Sequence, residues 1–147
     1  MTAQEFRSQV NQTVAEWAST YTNDLLGIKA GDVPVFYENG PEPDSTALRF
    51  WVDVEVRYYS SHLQALGSTA GRHTGAISTA VFIKDGEGTQ LPEELLRSLT
   101  ALMRKRRFGT SAYTTYPERT IPPTPSLYGW YRAGLLTPFV LNESVPV

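Results

Sequence analysis

The sequence contains no cysteine, only two histidines and no long apolar run. Without cysteine the chain has neither disulfides nor thiolate metal sites. With His62 and His73 as its only imidazoles, a zinc site would need carboxylates as further ligands. No stretch approaches the roughly 20 apolar residues of a membrane-spanning helix, and the N-terminus lacks the basic-then-apolar pattern of a signal peptide. We therefore expect no metal, no cofactor and no membrane contact, and folding in the cytoplasm.

Excess charge of either sign is also absent. The formal net charge is −2 and the isoelectric point is about 5.7, which argues against a protein whose main task is to neutralise nucleic-acid phosphates. With 147 residues, 41% of them hydrophobic and 19% charged, the chain has the size and composition of a globular domain. We predict a single domain, residues 1–147.

Two helices are predicted from apolar spacing and end signals. Thr2 and Glu5 form a capping-box pattern at the first, which should end between Asn23 and Gly27. Its apolar stripe is Phe6, Val10, Val14 and Trp17. The second stripe is Leu91, Leu95, Leu99, Leu102 and Met103. Pro92 suits the first position of that helix, the basic run Arg104 to Arg107 suits its last turn, and Gly109 should end it.

Strands are predicted from period-two alternation. From Leu48 to Tyr59 every even-numbered residue is apolar and most odd-numbered ones are polar. Thr74 to Lys84 predicts a second long strand, and the two form a hairpin whose tip is the long loop Ser60 to Arg72. Further strands are expected at Val33 to Tyr37, Ala112 to Tyr116 and Leu127 to Leu141, with a stiff connector at Ile121 to Pro125. This order predicts an α+β fold, a mostly antiparallel sheet of about four or five strands with two helices packed on one face.

The stretch "GAISTAVFIKDGEGTQLPEELL" has the order strand, glycine turn, helix, in which nucleotide-binding proteins hold a phosphate. Leu91 stands where a dinucleotide fingerprint needs a third glycine, and the Gly-Lys-Ser/Thr of a P-loop is absent. Asp85 and Glu87 also place negative charge where the phosphate would lie. The pattern favours a simple connecting turn.

Other candidate catalytic groups are weak. Asp53 and Glu55 share a strand face, but Arg49 and Arg57 flank them, which favours solvated or intersubunit ion pairs over an acid–base pair. Thr69 occupies the central position of a Gly67 to Gly71 stretch that otherwise resembles a nucleophile elbow.

The histidines and the basic run have plain interpretations as well. No acidic residue lies between His62 and His73, so two exposed loop histidines are favoured over a catalytic or metal set. The run Arg104 to Arg107 is typical of a solvated helix end, with a weak contact to DNA as the remaining alternative. No catalytic residue is predicted.

Apolar residues exceed what one helix-covered face should bury. Trp51 lies on the polar face of its strand, and the last strand, which contains Trp130, is apolar on both faces. We expect identical subunits to cover this surplus.

Four features together resemble the tail terminator (tail completion) proteins of long-tailed bacteriophages and related minor tail proteins. They are the opening helix, "VPVFYENGPEPDSTALRFWVDVEV", the long loop leading to "GRHTGAISTAVFIKDGEGT", and the following helix ending in "RRF". The resemblance covers roughly Met1 to Phe108. It implies a structural virion protein of the tail and neck, without catalytic residues, that forms a hexameric ring.

In that family the ring caps the tail tube protein and joins it to the head-side connector of the neck, while DNA passes through without specific binding. The resemblance implies that the loops Ser60 to Arg72 and Asn39 to Ser45 reach towards a neighbouring ring or subunit. The predicted partner interface combines residues of the long loop with the surplus apolar and charged residues of the strands. Its members are His62, Leu63, Leu66, Arg72, Trp51, Asp53, Glu55, Arg57 and Trp130. The alternatives are another neck or head-completion ring of the same particle, and a small α+β enzyme or ligand-binding domain.

Overall fold

The computed structural model describes residues 1–38, 40, 48–63, 70–84, 86–125 and 130–144. This part contains two α-helices, α1 (Ala3–Thr20) and α2 (Gln90–Met103), and a 3-10 turn at Asp24–Leu26. The strands are β1 (Val35–Tyr37), β2 (Phe50–Leu63), β3 (Ala70–Lys84), β4 (Arg107–Phe108), β5 (Ala112–Thr114), β6 (Glu118–Pro125) and β7 (Trp130–Ser144). Leu66 and all of the predicted Asn39 to Ser45 loop except Gly40 lie outside the described residues.

All seven strands belong to one sheet, in the order β1-β2-β3-β7-β5-β4, and β6 also pairs with β7. The pairs are antiparallel except β1 with β2, which is parallel and places Val35 opposite Val52. The predicted α+β class is confirmed. The predicted mostly antiparallel sheet of about four or five strands is wrong in size, since the described residues form a mixed sheet of seven strands with one parallel pair.

The extra strands come from segments without a strand pattern. β4 has two residues, too few for any periodicity. The predicted stiff connector Ile121 to Pro125 is part of β6, which holds three prolines. Proline removes a backbone donor, so it is tolerated where one side of a strand stays unpaired. The pairing of β6 with β7 is interrupted between Thr120 and Thr124, where two of these prolines lie.

Helix α1 begins where the sequence predicts, because the amide of Glu5 donates to Thr2 Oγ1 at 3.1 Å. It ends at Thr20, earlier than predicted, since Asn23 Oδ1 accepts from Leu26 N and caps the separate 3-10 turn. Gly27 closes that turn with φ 69°.

Helix α2 differs from the prediction at both ends. It begins at Gln90, so Pro92 is its third residue, and it ends at Met103. The basic run 104–107 therefore follows the helix instead of forming its last turn. The chain leaves the helix because Lys105 takes φ 48° and the amides of Lys105 and Arg106 bond to Thr115 O and Thr114 Oγ1.

Both helices pack on the same face of the sheet. Their apolar stripes meet the even-numbered residues of β2 and the odd-numbered residues of β3 and β7, such as Val54, Ile77 and Leu135. The ring of Phe6 lies 4.6 Å from that of Phe139. Trp17 Nε1 donates to Ser98 Oγ at 2.7 Å and joins the two helices.

The β2–β3 hairpin is confirmed, but most of its predicted loop is strand. β2 runs on to Leu63 and β3 begins at Ala70. The pairing passes through one β-bulge: Tyr58 lies opposite Gly75 and Ser60 opposite Thr74, so Tyr59 is the extra residue. The bulge brings the β2 backbone against Gly75, where a Cβ would lie 1.9 Å from Arg57 O.

We expect Gly75→Ala to destabilise the protein by about 1–3 kcal/mol, because the added methyl group displaces the backbone of β2 at the bulge. Thr74→Ala, at the neighbouring residue, is the control and should cost less than about 1 kcal/mol. Urea unfolding of both variants measures the difference. Equal effects of the two substitutions would show that the close approach at Gly75 is not needed.

Candidate functional site

The face of the sheet that turns away from the helices, called here the second face, carries the odd-numbered residues of β2 up to Arg57. An aromatic cluster lies at the end of this face where β2 begins. The rings of Trp51 and Phe82 stack at 4.8 Å with 9° between planes, and Trp130 packs against Trp51 at 4.3 Å. Trp51 and Trp130 are 8% and 7% exposed. The chain itself covers both tryptophans, so they do not supply the uncovered apolar surface that the sequence predicted.

The charged residues of the second face do not form one set. Glu55 pairs with Arg57 at 3.3 Å, and both side chains are well exposed. Arg49 pairs instead with Glu87 at 3.0 Å. Asp53 is partly buried, and burial raises the pKa of its carboxyl, while a hydrogen bond from Trp51 and the charge of Arg132 oppose this. Asp53 is thus the one carboxylate of the predicted interface with unusual surroundings.

Farther along β2, beside the bulge at Tyr59, the second face forms a groove of about 420 Å³. It is lined by Tyr59, Thr74, Gly75, Ala76, Glu118, Leu136, Pro138, Phe139 and Val140. Small side chains on β3 make room for it, and no residue of either helix lines it. Tyr59, the bulged residue, stands at its rim and is 65% exposed.

Next to the groove, three strands continue past the core. Residues 60–63, 70–74 and 142–144, called here the sheet extension, pair with one another. Of those whose side chains the structure describes, none belongs to the hydrophobic core. The ring of His73 packs against Tyr58 at 5.9 Å, at the boundary with the core. The described side chains of the extension are therefore held mainly by hydrogen bonds.

His73 is the centre of these bonds. Its Nδ1 lies 2.6 Å from Ser61 Oγ, and its Nε2 lies 2.6 Å from Glu143 Oε2. A neutral imidazole with its proton on Nε2 satisfies both, since it donates to Glu143 and accepts from Ser61. The prediction of an exposed loop histidine is wrong for His73, which lies in β3 with 21% of its side chain exposed.

The arrangement has the residue types of a nucleophilic triad, with the ring reversed. In serine hydrolases Nε2 faces the hydroxyl and Nδ1 faces the carboxylate, whereas here Nδ1 faces Ser61. The bonds join β2, β3 and β7. Their evident effect is to fasten the sheet extension.

Sequence reasoning missed Ser61 and Glu143. Glu143 is 70 residues from His73 and reaches it only because β3 and β7 pair. Ser61 reaches His73 only because the bulge at Tyr59 reverses the alternation of β2, so that odd-numbered residues beyond it turn to the other side. No local pattern in the sequence marks either event.

The other predicted interface residues lie in or beside the extension. The backbones of His62 and Leu63 pair with Arg72 and Gly71, and their side chains are outside the described part. Arg72 is exposed, and its Nε donates to Asn142 Oδ1 at 3.4 Å. Of the predicted set, therefore, Arg72 and the paired backbones of His62 and Leu63 are seen at the extension.

The glycine turn before α2 agrees with the interpretation as a connection. Gly86 and Gly88 have φ of 90° and 83°, values that suit glycine in a tight turn. Glu87 and Glu93 beside it are paired with Arg49 and Arg119. The adjoining cavity of about 520 Å³ is largely lined by apolar groups, including Ile83, Pro92, Tyr131 and Ala133.

The described residues contain neither a cluster of metal ligands nor a membrane-spanning helix. Among them, no three histidine, aspartate or glutamate side chains come together as a metal ion would require. No helix in the described ranges has the length and apolar character needed to cross a bilayer.

We expect Asp53→Asn to stabilise the protein at neutral pH. The buried carboxyl holds its proton to a higher pH in the folded state than in the unfolded state, so stability falls as pH rises from about 4 through the folded pKa, and the penalty persists above it. Thermal unfolding of wild type and variant should therefore diverge with rising pH, and Glu55→Gln should show no such gain. A variant less stable than wild type at neutral pH would mean that the attraction of Arg132 outweighs burial.

The bond between His73 and Glu143 should appear as a coupling free energy of about 0.5–1.5 kcal/mol in a double-mutant cycle. Glu143→Ala is combined with His73→Phe, which fills a similar volume without donors or acceptors, and urea unfolding gives the four stabilities. Glu118→Ala, on the second face, replaces Glu143→Ala in the control cycle. Indistinguishable couplings in the two cycles would contradict the bond.

No protein-family model matches the sequence, and no curated protein matches it. One solved structure, whose name describes no function, superposes on the whole chain with a TM-score of 0.65. The two share 16% sequence identity, over 100% of this chain and 99% of that one. At this identity the likeness is one of fold alone.

Proposed function

We propose that this chain is a structural subunit that assembles with identical copies into a ring, and that the ring terminates a bacteriophage tail and joins it to the head. The observation that carries the assembly proposal is the uncovered surface formed by the groove and the adjoining sheet extension. No residue of either helix lines the groove, and the described side chains of the extension are not part of the hydrophobic core. The virion assignment rests on the sequence resemblance described above.

The groove has the character of an interface centre. Its lining is mostly apolar, from Ala76, Leu136, Pro138 and Val140, and protein interfaces concentrate such groups with aromatic residues at their centres. Tyr59 is large, rigid and 65% exposed at the rim. Tyrosine is among the residues that contribute most to binding free energy between proteins.

The sheet extension suits the partner role. It is a three-stranded end whose described side chains lie outside the hydrophobic core, and the Ser61, His73 and Glu143 bonds join its three strands. An element of this kind gains stability when a neighbouring molecule packs on it. A contact between the extension of one copy and the groove of the next is heterologous. Such contacts close into a ring when the rotation from one copy to the next, repeated a whole number of times, completes one full turn.

The finer assignment follows from the resemblance. It supports a hexamer that contacts the tail tube protein on one side and the head-side connector on the other. The acidic balance of the chain is consistent with a channel through which DNA moves without being retained. The protein would then belong to the tail and neck of the virion and be assembled in the host cytoplasm.

A small enzyme is the second candidate, because Ser61, His73 and Glu143 line up as hydroxyl, imidazole and carboxylate. Such a set can activate a serine for acyl transfer. Turnover of activated esters by wild type, and its loss in Ser61→Ala, would favour this candidate. A structural subunit shows no turnover in either form.

Assembly is tested by light scattering coupled to size-exclusion chromatography and by negative-stain microscopy. We expect ring-shaped oligomers from wild type. Tyr59→Glu should raise the concentration of half-assembly by about thirtyfold or more, since it places an unpaired charge at the interface. Leu25→Glu is the matched control, because Leu25 is 89% exposed on the 3-10 turn and does not line the groove. A wild type that stays monomeric would refute the ring, and sensitivity to Leu25→Glu alone would refute the groove as its interface.

The place of the ring in the particle needs a separate experiment. A tail terminator binds the ends of purified tail tubes, whereas a head-completion ring binds portal vertices of DNA-filled heads. Gold-labelled protein mixed with each preparation distinguishes the two by electron microscopy. Labelled portal vertices with bare tube ends would favour the alternative neck ring.

A further inference from the structure

The turn that follows α2 concentrates positive charge. Arg104, Lys105, Arg106 and Arg107 are all exposed, and they are four of the thirteen basic residues in a chain with fifteen acidic ones. Within the described ranges, none of the four forms a salt bridge, although six salt bridges engage other side chains. Lys105 Nζ lies 4.7 Å from the centre of the Tyr116 ring. The guanidinium groups are thus available to an anion from outside the chain.

The backbone that carries these cations is fixed. Thr114 is 3% exposed, and its amide donates to Arg106 O at 2.9 Å while its Oγ1 accepts from Arg106 N at 2.8 Å. The same hydroxyl donates to Met103 O at 2.5 Å. Lys105 N bonds to Thr115 O at 3.2 Å, which holds the left-handed residue in place. A ligand would therefore meet a preorganised turn.

Two of the four cations border a cleft of about 330 Å³ between this turn and α1. Its lining is mainly polar: Arg106 and Arg107 from the turn, and Gln9, Gln12, Thr13 and Glu16 from α1, with Phe108 and Gly109. The Thr13 hydroxyl is occupied, since it donates to Gln9 O at 2.8 Å. The donors left for a ligand are the two guanidinium groups and the side-chain amides of Gln9 and Gln12.

Glu16 is the one acidic residue of the cleft. Its Oε1 accepts from Gln12 Nε2 at 3.2 Å, which leaves Gln12 a second N–H. Two cations and two amides against one carboxylate make the cleft a site for an anion.

We propose that this cleft binds a phosphate group, with Arg106 and Arg107 as its charged donors. Planar guanidinium groups match the oxygens of phosphate with paired hydrogen bonds, and adjacent arginines can hold two sides of one tetrahedral group. The cleft is larger than one such ion, so a phosphate that is part of a larger molecule also fits. Free phosphate and the backbone of DNA present the same chemistry, and the experiment separates these two sources. The inference is independent of ring assembly.

The test is a titration of the ¹⁵N-labelled full chain with orthophosphate, followed by NMR at constant ionic strength set with sodium chloride. We expect saturable shifts at the Arg106 and Arg107 Nε–H groups and the Gln9 side-chain amide. Arg106→Gln and Arg107→Gln should each weaken binding by about tenfold or more, the effect of losing a charge-assisted bond. Glu16→Gln should tighten it, because it removes the only negative charge in the cleft.

Arg97→Gln is the control, since Arg97 lies on α2 with 76% of its side chain exposed. Its Nη1 lies 3.6 Å from Glu94 Oε1. It should bind phosphate as wild type does. Weakening by Arg97→Gln equal to that by Arg106→Gln, or shifts that grow without saturation, would overturn the proposal by showing general screening alone. A second titration with short duplex DNA identifies the source: affinity well above that of orthophosphate, and lost in Arg106→Gln, assigns the site to nucleic acid, and equal affinity per phosphate assigns it to small phosphates.

Discussion

The close approach of two backbones at Gly75 determines how the long hairpin continues. Only glycine allows Arg57 O to lie where a Cβ would otherwise stand, and this contact accommodates the extra residue at Tyr59. The bulge then has two results. It leaves Tyr59 exposed beside the groove, and it reverses the alternation of β2 so that Ser61 meets His73. A single residue without a side chain thus sets both parts of the surface proposed for assembly.

The two faces of the sheet reach burial by different means. The helix face follows the usual pattern, with apolar stripes of α1 and α2 closing over alternating strand residues. The second face has no helix, and its tryptophans pack against each other and against Phe82. Lys84 Nζ lies over the Trp130 ring, and the Arg132 guanidinium lies over the Phe82 ring. Stacked aromatic pairs add about 0.5–1.5 kcal/mol each beyond burial. This aromatic packing ends where β3 carries the small residues Thr74, Gly75 and Ala76, and the groove begins there.

Much of the fold could be predicted because its signals are local. Thr2 and Glu5 marked the start of α1, and the alternation from Leu48 to Tyr58 marked β2, because caps and periodicity involve residues close in sequence. The features that were not predicted depend instead on contacts between residues far apart in the sequence. The burial of Trp51 depends on Phe82 and Trp130 from distant strands, and the surroundings of His73 depend on Glu143, 70 residues later. Strand β6 was missed because three prolines normally exclude pairing, and its partner β7 accepts it on one side.

Strand β7 lies in the middle of the sheet although it is the last described strand in the chain. All its residues from Trp130 to Ser144 pair with β3 on one side, and β5 and β6 pair with it on the other. During synthesis β3 therefore has an unpaired edge until β7 has left the ribosome, and the sheet can close only after that point. Pairing between strands that lie far apart in the sequence is slow. Until β7 has paired with β3, the β2–β3 hairpin exposes an unpaired edge that other chains can join. Copies translated side by side from one message would compete for that edge.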